Sequence, residues 1–172
     1  MKGIILASFR DYFLKKTNNE VTWKDILDKS GLGSEKIILH SVSLDDKYVK
    51  PIIDGMSEKL MMNKSELLIE LGKFFIISTA TRFYKTTLMK YNTFEDFILN
   101  VNKIHSSIVQ MMPDATPPVF GIEFKNNKIV IDYTSKRHLI DYAYGALLGA
   151  AALYKSNAKI TKLNDNKIEI LL

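Results

Sequence analysis

The hydrophobic period of this chain is helical throughout its first two thirds and first changes to that of strands after residue 112, which places helices first and the sheet later. As far as Met112, apolar residues recur every three or four positions, which is typical of amphipathic helices. Beyond the stiff segment Pro113–Pro118, apolar and polar residues alternate over 120–124 and 129–133, which is typical of strands. The sequence therefore predicts an α+β fold.

The second half of the chain contains two predicted hairpins with one helix between them. Lys125–Asn127 and Asn164–Asn166 are the turn signals of the two hairpins. A helix is expected from about residue 137 to residue 154. Together the hairpins predict one four-stranded antiparallel sheet with helices packed on it.

The chain is long enough to form one domain with a large core, since it has 172 residues. No internal repeat, low-complexity tract or flexible linker divides it. We predict a single domain over residues 1–172, with a helical subdomain over about 1–62 and an α+β subdomain over 63–172.

Composition excludes several classes of function. The net charge of +5 is mild, and no block of Lys and Arg of the kind that signals nucleic-acid binding is present. The chain has no cysteine, which excludes disulfides, thiolate ligation of iron and iron–sulfur clusters. The N-terminus does not read as a signal peptide, and the longest apolar run, Tyr142 to Tyr154, is too short for a bilayer, which needs ~20 residues. We expect a cytoplasmic domain without membrane contact.

One histidine, His105, lies on the apolar face of a predicted helix. The helix extends from about Phe94 to Met112, after the capping residue Thr93 and before Pro113. An imidazole in this position is either a core histidine with one satisfied hydrogen bond or, facing an apolar cavity, an axial ligand of iron. His40 stands alone in a predicted loop and is not expected to be a ligand.

Three polar residues, Tyr133, Ser135 and Arg137, alternate at the end of a predicted strand. On extended backbone their side chains would leave from one side, so two hydroxyl donors and one guanidinium would converge. Arg is the side chain suited to a bidentate grip on a carboxylate or phosphate. The alternative is a polar strand end with Arg137 in solvent.

In their order and spacing, the motifs of the whole chain resemble those of the H-NOX family, the haem-nitric oxide/oxygen-binding domains related to the haem domain of soluble guanylate cyclase. The most specific part is the spacing from His105 to Pro118 and on to Tyr133, Ser135 and Arg137. The motifs that carry the resemblance are Met1–Ile5, Trp23–Leu27, Gly31-Leu32, Ser57–Lys59, Ile104-His105, Ala115–Pro118 and Tyr133-x-Ser135-x-Arg137.

The resemblance implies a non-covalent haem b held between the two subdomains. It makes His105 the proximal iron ligand and assigns Tyr133, Ser135 and Arg137 to the two propionates. Pro118 would pack against the porphyrin and help hold it out of plane, although the residue also suits an elbow between helix and strand. Ile5 is expected against the ring.

The resemblance also identifies Tyr142 with the distal tyrosine of dioxygen-binding members. A phenol there can donate a hydrogen bond to dioxygen, whereas nitric oxide gains much less from a donor. The positions that support this tyrosine in some members are occupied here by Phe9 and Phe75, which puts dioxygen affinity in doubt. Gly145 and Gly149, on the same helical face, would leave room either for a flat ring or for a packed helix.

The function implied is that of a bacterial gas sensor without catalytic activity, binding nitric oxide, dioxygen and carbon monoxide. Nitric oxide would weaken the bond between iron and His105, free the His105 helix and flatten the porphyrin against Pro118. A signalling partner or fused domain would respond: a chemotaxis receptor, a histidine kinase or a cyclic-dinucleotide enzyme. The alternatives are a dioxygen or redox sensor, and a haem-free module for apolar ligands. Paired acids such as Asp45 with Asp46 are interpreted as solvated helix charges.

Overall fold

The computed structural model describes all 172 residues and contains nine α-helices and four strands. Before the sheet, the α-helices are α1 (Gly3–Thr17), α2 (Glu20–Lys29), α3 (Val49–Leu60), α4 (Lys64–Phe74), α5 (Thr81–Phe83), α6 (Lys85–Leu88), α7 (Phe94–Leu99) and α8 (Val101–Met111). The remaining elements are β1 (Val119–Lys125), β2 (Lys128–Thr134), α9 (Ile140–Leu153), β3 (Lys159–Asn164) and β4 (Lys167–Leu171). None of the helices is long and apolar enough to cross a bilayer.

The predicted four-stranded antiparallel sheet is confirmed. Its strands are ordered β1-β2-β4-β3, so both hairpins join through their second strands. The first hairpin turns at Asn126 and Asn127, whose φ angles of 52° and 58° suit a tight turn that matches the twist of the strands. β1 is an edge strand, which leaves one side of its backbone for a contact other than β2.

The helix starts follow local capping rules. The side chains of Asn19, Asn63 and Thr93 each accept a hydrogen bond from a backbone N–H in the first turn of α2, α4 and α7. Thr22 lies inside the first turn of α2, where its N–H donates to the side-chain oxygen of Asn19 at 3.0 Å. The predicted helix over 94–112 is two helices, α7 and α8, which meet at Asn100.

A six-residue π-helical turn, Phe75–Ala80, continues α4. Such wider turns shift the side chains that follow them around the helix axis and are frequent at functional sites. Thr79 in this turn is buried and its hydroxyl donates to the hydroxyl of Ser8 in α1, at 2.9 Å. The turn is therefore fixed against α1.

The buried apolar residues form two clusters. The first draws on α1, α2, α3 and the start of α4, and the second on the sheet, α7, α9 and the π-helical turn. Leu71 in α4 belongs to the first cluster and Ile76 to the second. The predicted subdomain boundary near residue 62 falls between α3 and α4 and stays a prediction.

Candidate functional site

An apolar cavity of about 260 Å³ lies where the two clusters meet. Its walls come from the start of α1, the π-helical turn, α8, residues 114–120, the end of β2 and α9. His105, Tyr133, Ser135, Arg137 and Tyr142 all line it. A larger cleft, about 390 Å³, lies between α1, α2 and residues 34–40, but its walls are mostly polar and contain none of these five. The apolar cavity is therefore the candidate site.

His105 reaches the cavity from α8 with a defined hydrogen bond. Its Nδ1 lies 3.0 Å from the carbonyl oxygen of Pro118. Because a carbonyl only accepts, Nδ1 must carry the proton, and the neutral ring then has an unprotonated Nε2. Burial lowers the pKa of His105 below its ordinary value, and the bond to Pro118 opposes this shift only in part. The ring is therefore held in the neutral form that metals bind.

Pro118, Phe120 and Ile5 surround the same end of the cavity. Pro118 lines it and also supplies the acceptor for His105. The Phe120 ring stacks on the imidazole, with centroids 5.7 Å apart and an interplanar angle of 29°. Ile5, half-buried on α1, lines the cavity as well. Ring orientation at His105 is thus set by one hydrogen bond and one stacking contact.

The predicted trio Tyr133, Ser135 and Arg137 does converge on the cavity, but not by strand alternation. β2 ends at Thr134, and the chain then turns, with His138 at a φ of 51°. The backbone N–H of Arg137 donates to the Ser135 hydroxyl at 3.2 Å, which leaves that hydroxyl free to donate. Tyr133 lines the cavity from β2, and the turn, rather than extended backbone, places Ser135 and Arg137 on the same cavity.

Arg137 is held by two residues that the sequence did not indicate. Its Nε donates to Asp46 Oδ1 at 2.8 Å, and its two Nη atoms donate to the carbonyl and hydroxyl of Thr116 at 2.7 and 2.8 Å. A guanidinium has five N–H groups, so two remain for an anion. Asp46, interpreted above as a solvated charge, also accepts from the N-terminal ammonium of Met1 at 2.7 Å.

These contacts join residues that are far apart in the chain. Asp46 and Arg137 are 91 positions apart, and Thr116 and Arg137 are 21 apart. Partial burial raises the pKa of Asp46, but hydrogen bonds from the N-terminus and Arg137 outweigh it and lower the pKa. Lys2 makes a further ion pair with Asp114 at the same mouth. No local pattern could have signalled these pairs.

The hydroxyl of Tyr142, on α9, is enclosed and has no hydrogen-bond partner in the protein. Burial raises the pKa of this phenol far above its ordinary value, so it keeps its proton. Phe9 and Phe75 both pack against its ring, with centroid distances of 5.9 and 6.3 Å. Phe75 lines the cavity, whereas Phe9 is fully buried and does not. Neither side chain offers a polar atom to fix the hydroxyl.

Gly145 and Gly149 serve helix packing rather than the cavity. A Cβ added at Gly145 would collide with the carbonyl oxygen of Ile69 in α4, and one at Gly149 would lie 3.0 Å from that of Lys73. Neither glycine lines the cavity. Of the two roles predicted for these residues, the helix-packing groove is the one found, because α4 and α9 meet at backbone distance.

The donor set fits a metal that brings its own ligands. No group of three or more His, Cys, Asp or Glu side chains is placed to hold a metal ion. One imidazole, an apolar cavity and a cationic mouth instead suit a flat metal complex with acid groups at one edge. His105 would hold its metal, and Tyr133, Ser135 and Arg137 would hold its acid groups. The enclosed Tyr142 hydroxyl would be a donor for a small ligand.

Comparison with protein-family models gives one match, to the family described as haem-NO-binding, over residues 2–162. None of the curated proteins compared with the chain matches it. The family model thus covers nearly the whole chain and all of the residues that line the cavity except Met1.

Solved structures with the same fold include an H-NOX protein from S. oneidensis in the Fe(II)NO ligation state, with a TM-score of 0.90 and 21% identity over 99% of this chain and 97% of that one. A mutant H-NOX protein from K. algicida, Fe(II) and unliganded, has a TM-score of 0.86 and 24% identity over 99% and 94%. A mutant of T. tengcongensis H-NOX has a TM-score of 0.83 and 22% identity over 99% and 97%.

Proposed function

The chain belongs to the haem-NO-binding (H-NOX) family of haem-based gas sensors, and from this premise we propose that it senses nitric oxide through His105. The family's cofactor is haem b. When bound, haem would supply an iron ion that His105 would hold and that could bind a diatomic gas. The remaining steps belong to the residues of the chain itself.

The observation that carries the proposal is the hydrogen bond from His105 Nδ1 to Pro118 O at 3.0 Å. It fixes the tautomer, presents Nε2 as a lone pair and increases the basicity of the ligand. Stacking on Phe120 keeps the ring from turning about this bond. His105 is therefore oriented before any cofactor enters, which favours the role of proximal ligand.

The propionates are proposed to lie at the mouth formed by Tyr133, Ser135 and Arg137. Buried carboxylates need donors or charge partners. Arg137 has two unused N–H groups, and the hydroxyl of Ser135 has an unused proton. Asp46 and Thr116 hold the guanidinium in position, so binding of a propionate does not require the arginine to be ordered at that moment.

Tyr142 is proposed to contact the gas. Its hydroxyl is protonated, enclosed and without a partner, so it can donate to a ligand that carries partial negative charge. Dioxygen has that character more than nitric oxide or carbon monoxide. With only the rings of Phe9 and Phe75 beside it, the hydroxyl is not aimed by a second hydrogen bond, so we propose nitric oxide as the main signal and dioxygen as a weaker ligand.

The output is proposed to be the release of α8. Val101 is its one buried residue, so the helix depends on His105 and on the cavity for much of its attachment. Release of His105 would remove a hydrogen bond that attaches α8 to Pro118. Pro118 could then change its position. We propose that a signalling protein or fused domain responds to this change, that the chain has no catalytic activity, and that it acts in the cytoplasm of a bacterium.

The test is the absorption spectrum of the reduced, haem-loaded protein with and without nitric oxide. The parent should bind haem and change its spectrum with nitric oxide, and amide exchange in α8 should increase. His105→Gly should still accept haem through apolar contacts but should lose the exchange response. An identical response in His105→Gly and the parent would contradict the proposal, as would a protein that stays colourless with excess haem, which would favour the haem-free module for apolar ligands.

A second candidate, a dioxygen or redox sensor, is favoured by the enclosed hydroxyl of Tyr142. If it is correct, the reduced protein should show a new spectrum in air that persists for minutes, and Tyr142→Phe should abolish it. Tyr144→Phe is the matched control, since the Tyr144 hydroxyl donates to Ile160 O and does not line the cavity. Rapid oxidation of the parent in air would leave nitric oxide as the ligand of choice.

A further inference from the structure

Two residues supply all the side-chain hydrogen bonds that join α8 to other elements. His105 bonds to Pro118, and the Asn102 amide bonds to the backbone of Phe120. The hydroxyls of Ser106 and Ser107 bond only within the helix. Since His105 is proposed to be released, Asn102 would be the remaining polar link.

The Asn102 amide fits the open edge of β1 as a neighbouring strand would. Its Oδ1 accepts from the Phe120 N–H at 3.1 Å, and its Nδ2 donates to the Phe120 carbonyl at 2.6 Å. Phe120 in β1 lies opposite Tyr133 in β2. The Tyr133 N–H donates to Asn166 O, on the side of β2 away from β1. Phe120 and Tyr133 are therefore a pair without mutual hydrogen bonds, and both polar groups of Phe120 point outward. Asn102 satisfies both of them.

The same strand residue contacts His105. The Phe120 ring stacks on the imidazole at 5.7 Å and packs against Tyr133 at 5.9 Å. Asn102 and His105 are three positions apart, so they share one face of α8. Asn102 thus holds the backbone of the residue whose side chain orients His105.

Building on the proposed function, we propose that Asn102 is a positioning residue that makes the first turn of α8 a pivot. Asn102 keeps this turn on the edge of β1, and Val101 beside it is buried. Loss of the hydrogen bond between His105 and Pro118 then displaces the later part of the helix, Ser106–Met111. The end of this part, at Gln110 and Met111, is exposed. The pivot needs the amide rather than a carboxylate, because a carboxylate accepts from the Phe120 N–H but cannot donate to its carbonyl.

The experiment compares Asn102→Ala, Asn102→Asp and the control Asn100→Ala in the full haem-loaded chain. Asn100 is a matched control because its amide bonds only to Asp96, within α7. Residue-resolved amide exchange is measured with and without nitric oxide. In the parent and in Asn100→Ala, nitric oxide should accelerate exchange after His105 while residues 101–103 change little.

In Asn102→Ala, exchange should already be about tenfold faster in the first turn without gas, because two hydrogen bonds are lost, and nitric oxide should then affect the whole helix. Asn102→Asp has the same shape and keeps the acceptor, but its carboxylate repels the Phe120 carbonyl. Its exchange rate in the first turn should lie between those of the parent and Asn102→Ala. Both variants should shift or broaden the iron–imidazole stretching band in the Raman spectrum of the ferrous protein without gas, and a residue that only stabilises the fold would not.

An unchanged Raman band together with a parent-like exchange pattern in Asn102→Ala would overturn the pivot. If Asn102→Ala does not fold, the same two measurements on Asn102→Asp decide. If the parent itself shows no exchange response to nitric oxide, the proposed function fails instead, so the two failures are distinguishable.

Discussion

At the scale of single residues, the cavity contains a polar atom that costs stability while the protein has no ligand. The Tyr142 hydroxyl is enclosed without a partner, and an unsatisfied buried donor costs about 1–3 kcal/mol. Tyr144, two positions on, has a hydroxyl that donates to Ile160 O at 3.3 Å. A Tyr→Phe change therefore removes an unpaired hydroxyl at position 142 and a hydrogen-bonded hydroxyl at position 144.

Tyr142→Phe should leave the free energy of unfolding of the haem-free protein unchanged or raise it by about 1 kcal/mol, because the variant no longer buries an unpaired donor. Tyr144→Phe should lower it by about 0.5–1.5 kcal/mol, because it loses a hydrogen bond. Urea denaturation followed by circular dichroism measures both. A larger loss of unfolding free energy in Tyr142→Phe than in Tyr144→Phe would show that the Tyr142 hydroxyl has a hydrogen-bond partner.

Asp46 should contribute stability that depends on pH. Its pKa is lowered in the folded protein, so its contribution is present above the pKa of the unfolded chain and is lost as pH falls through the folded pKa. Asp46→Asn should therefore lose less stability than the parent between about pH 5 and pH 2. The side chain is 46% exposed, so the difference at neutral pH should be below about 1 kcal/mol.

Unfolding free energies of the two proteins at several pH values test this expectation. Asp165→Asn, in the exposed turn between β3 and β4 and outside every ion pair, is the control. Parallel acid profiles for the parent and Asp46→Asn would contradict the role of the Asp46 carboxylate.

At the scale of elements, α4 and α9 pack through glycines at backbone distance. Gly145→Ala should lower the free energy of unfolding by about 1–3 kcal/mol, because the added methyl meets the fixed carbonyl of Ile69. Gly149→Ala should cost less, since its nearest atom, Lys73 O, is 3.0 Å from the added carbon. Thermal denaturation ranks the two. The reverse ranking would mean that α9 shifts along α4 to make room.

Much of this arrangement could be predicted from local patterns. The change of period after Met112 predicted the sheet, and the helical spacing around His105 placed the imidazole on the correct face. The break at Asn100 was missed because Asn100 caps its own preceding helix through Asp96, which spacing alone does not reveal. All of these features depend on residues that lie close together in the chain.

The other misses depend on contacts between distant segments. Asp46 holds Arg137 from 91 positions away, so its sequence neighbours only indicate a charge at a helix start. The turn after Thr134 replaces the extended backbone expected for Ser135 and Arg137. Whether the glycines of α9 face a ring or a helix was open, because both surroundings require a small residue, and α4 decides it.

At the scale of the whole molecule, the cavity lies between two separate buried clusters, so an occupant contacts both. Ile5 belongs to the first set of apolar contacts and Phe75 to the second, and both line the cavity. A ligand that binds only the folded state stabilises it by mass action, by ≈ 2.7 kcal/mol when its free concentration is 100 times Kd. Haem should therefore affect the unfolding of the entire chain.

Removal of haem should lower the melting temperature by several degrees and broaden the transition in scanning calorimetry, because the two clusters lose their shared contacts. Metal-free protoporphyrin IX is the control. It should restore less stability than haem in the parent, since it cannot bind His105, and should equal haem in His105→Gly. Equal effects of the two ligands in the parent would indicate that iron ligation contributes nothing.

The glycine contact between α4 and α9 makes the walls of the cavity unequal in stiffness. Two helices that touch through their backbones have no side chains to compress, so the wall formed by the π-helical turn and α9 resists deformation. The wall formed by α8 is compliant, because few of its side chains are buried. We therefore expect an occupant that presses on the walls of the cavity to displace α8 before it displaces α9.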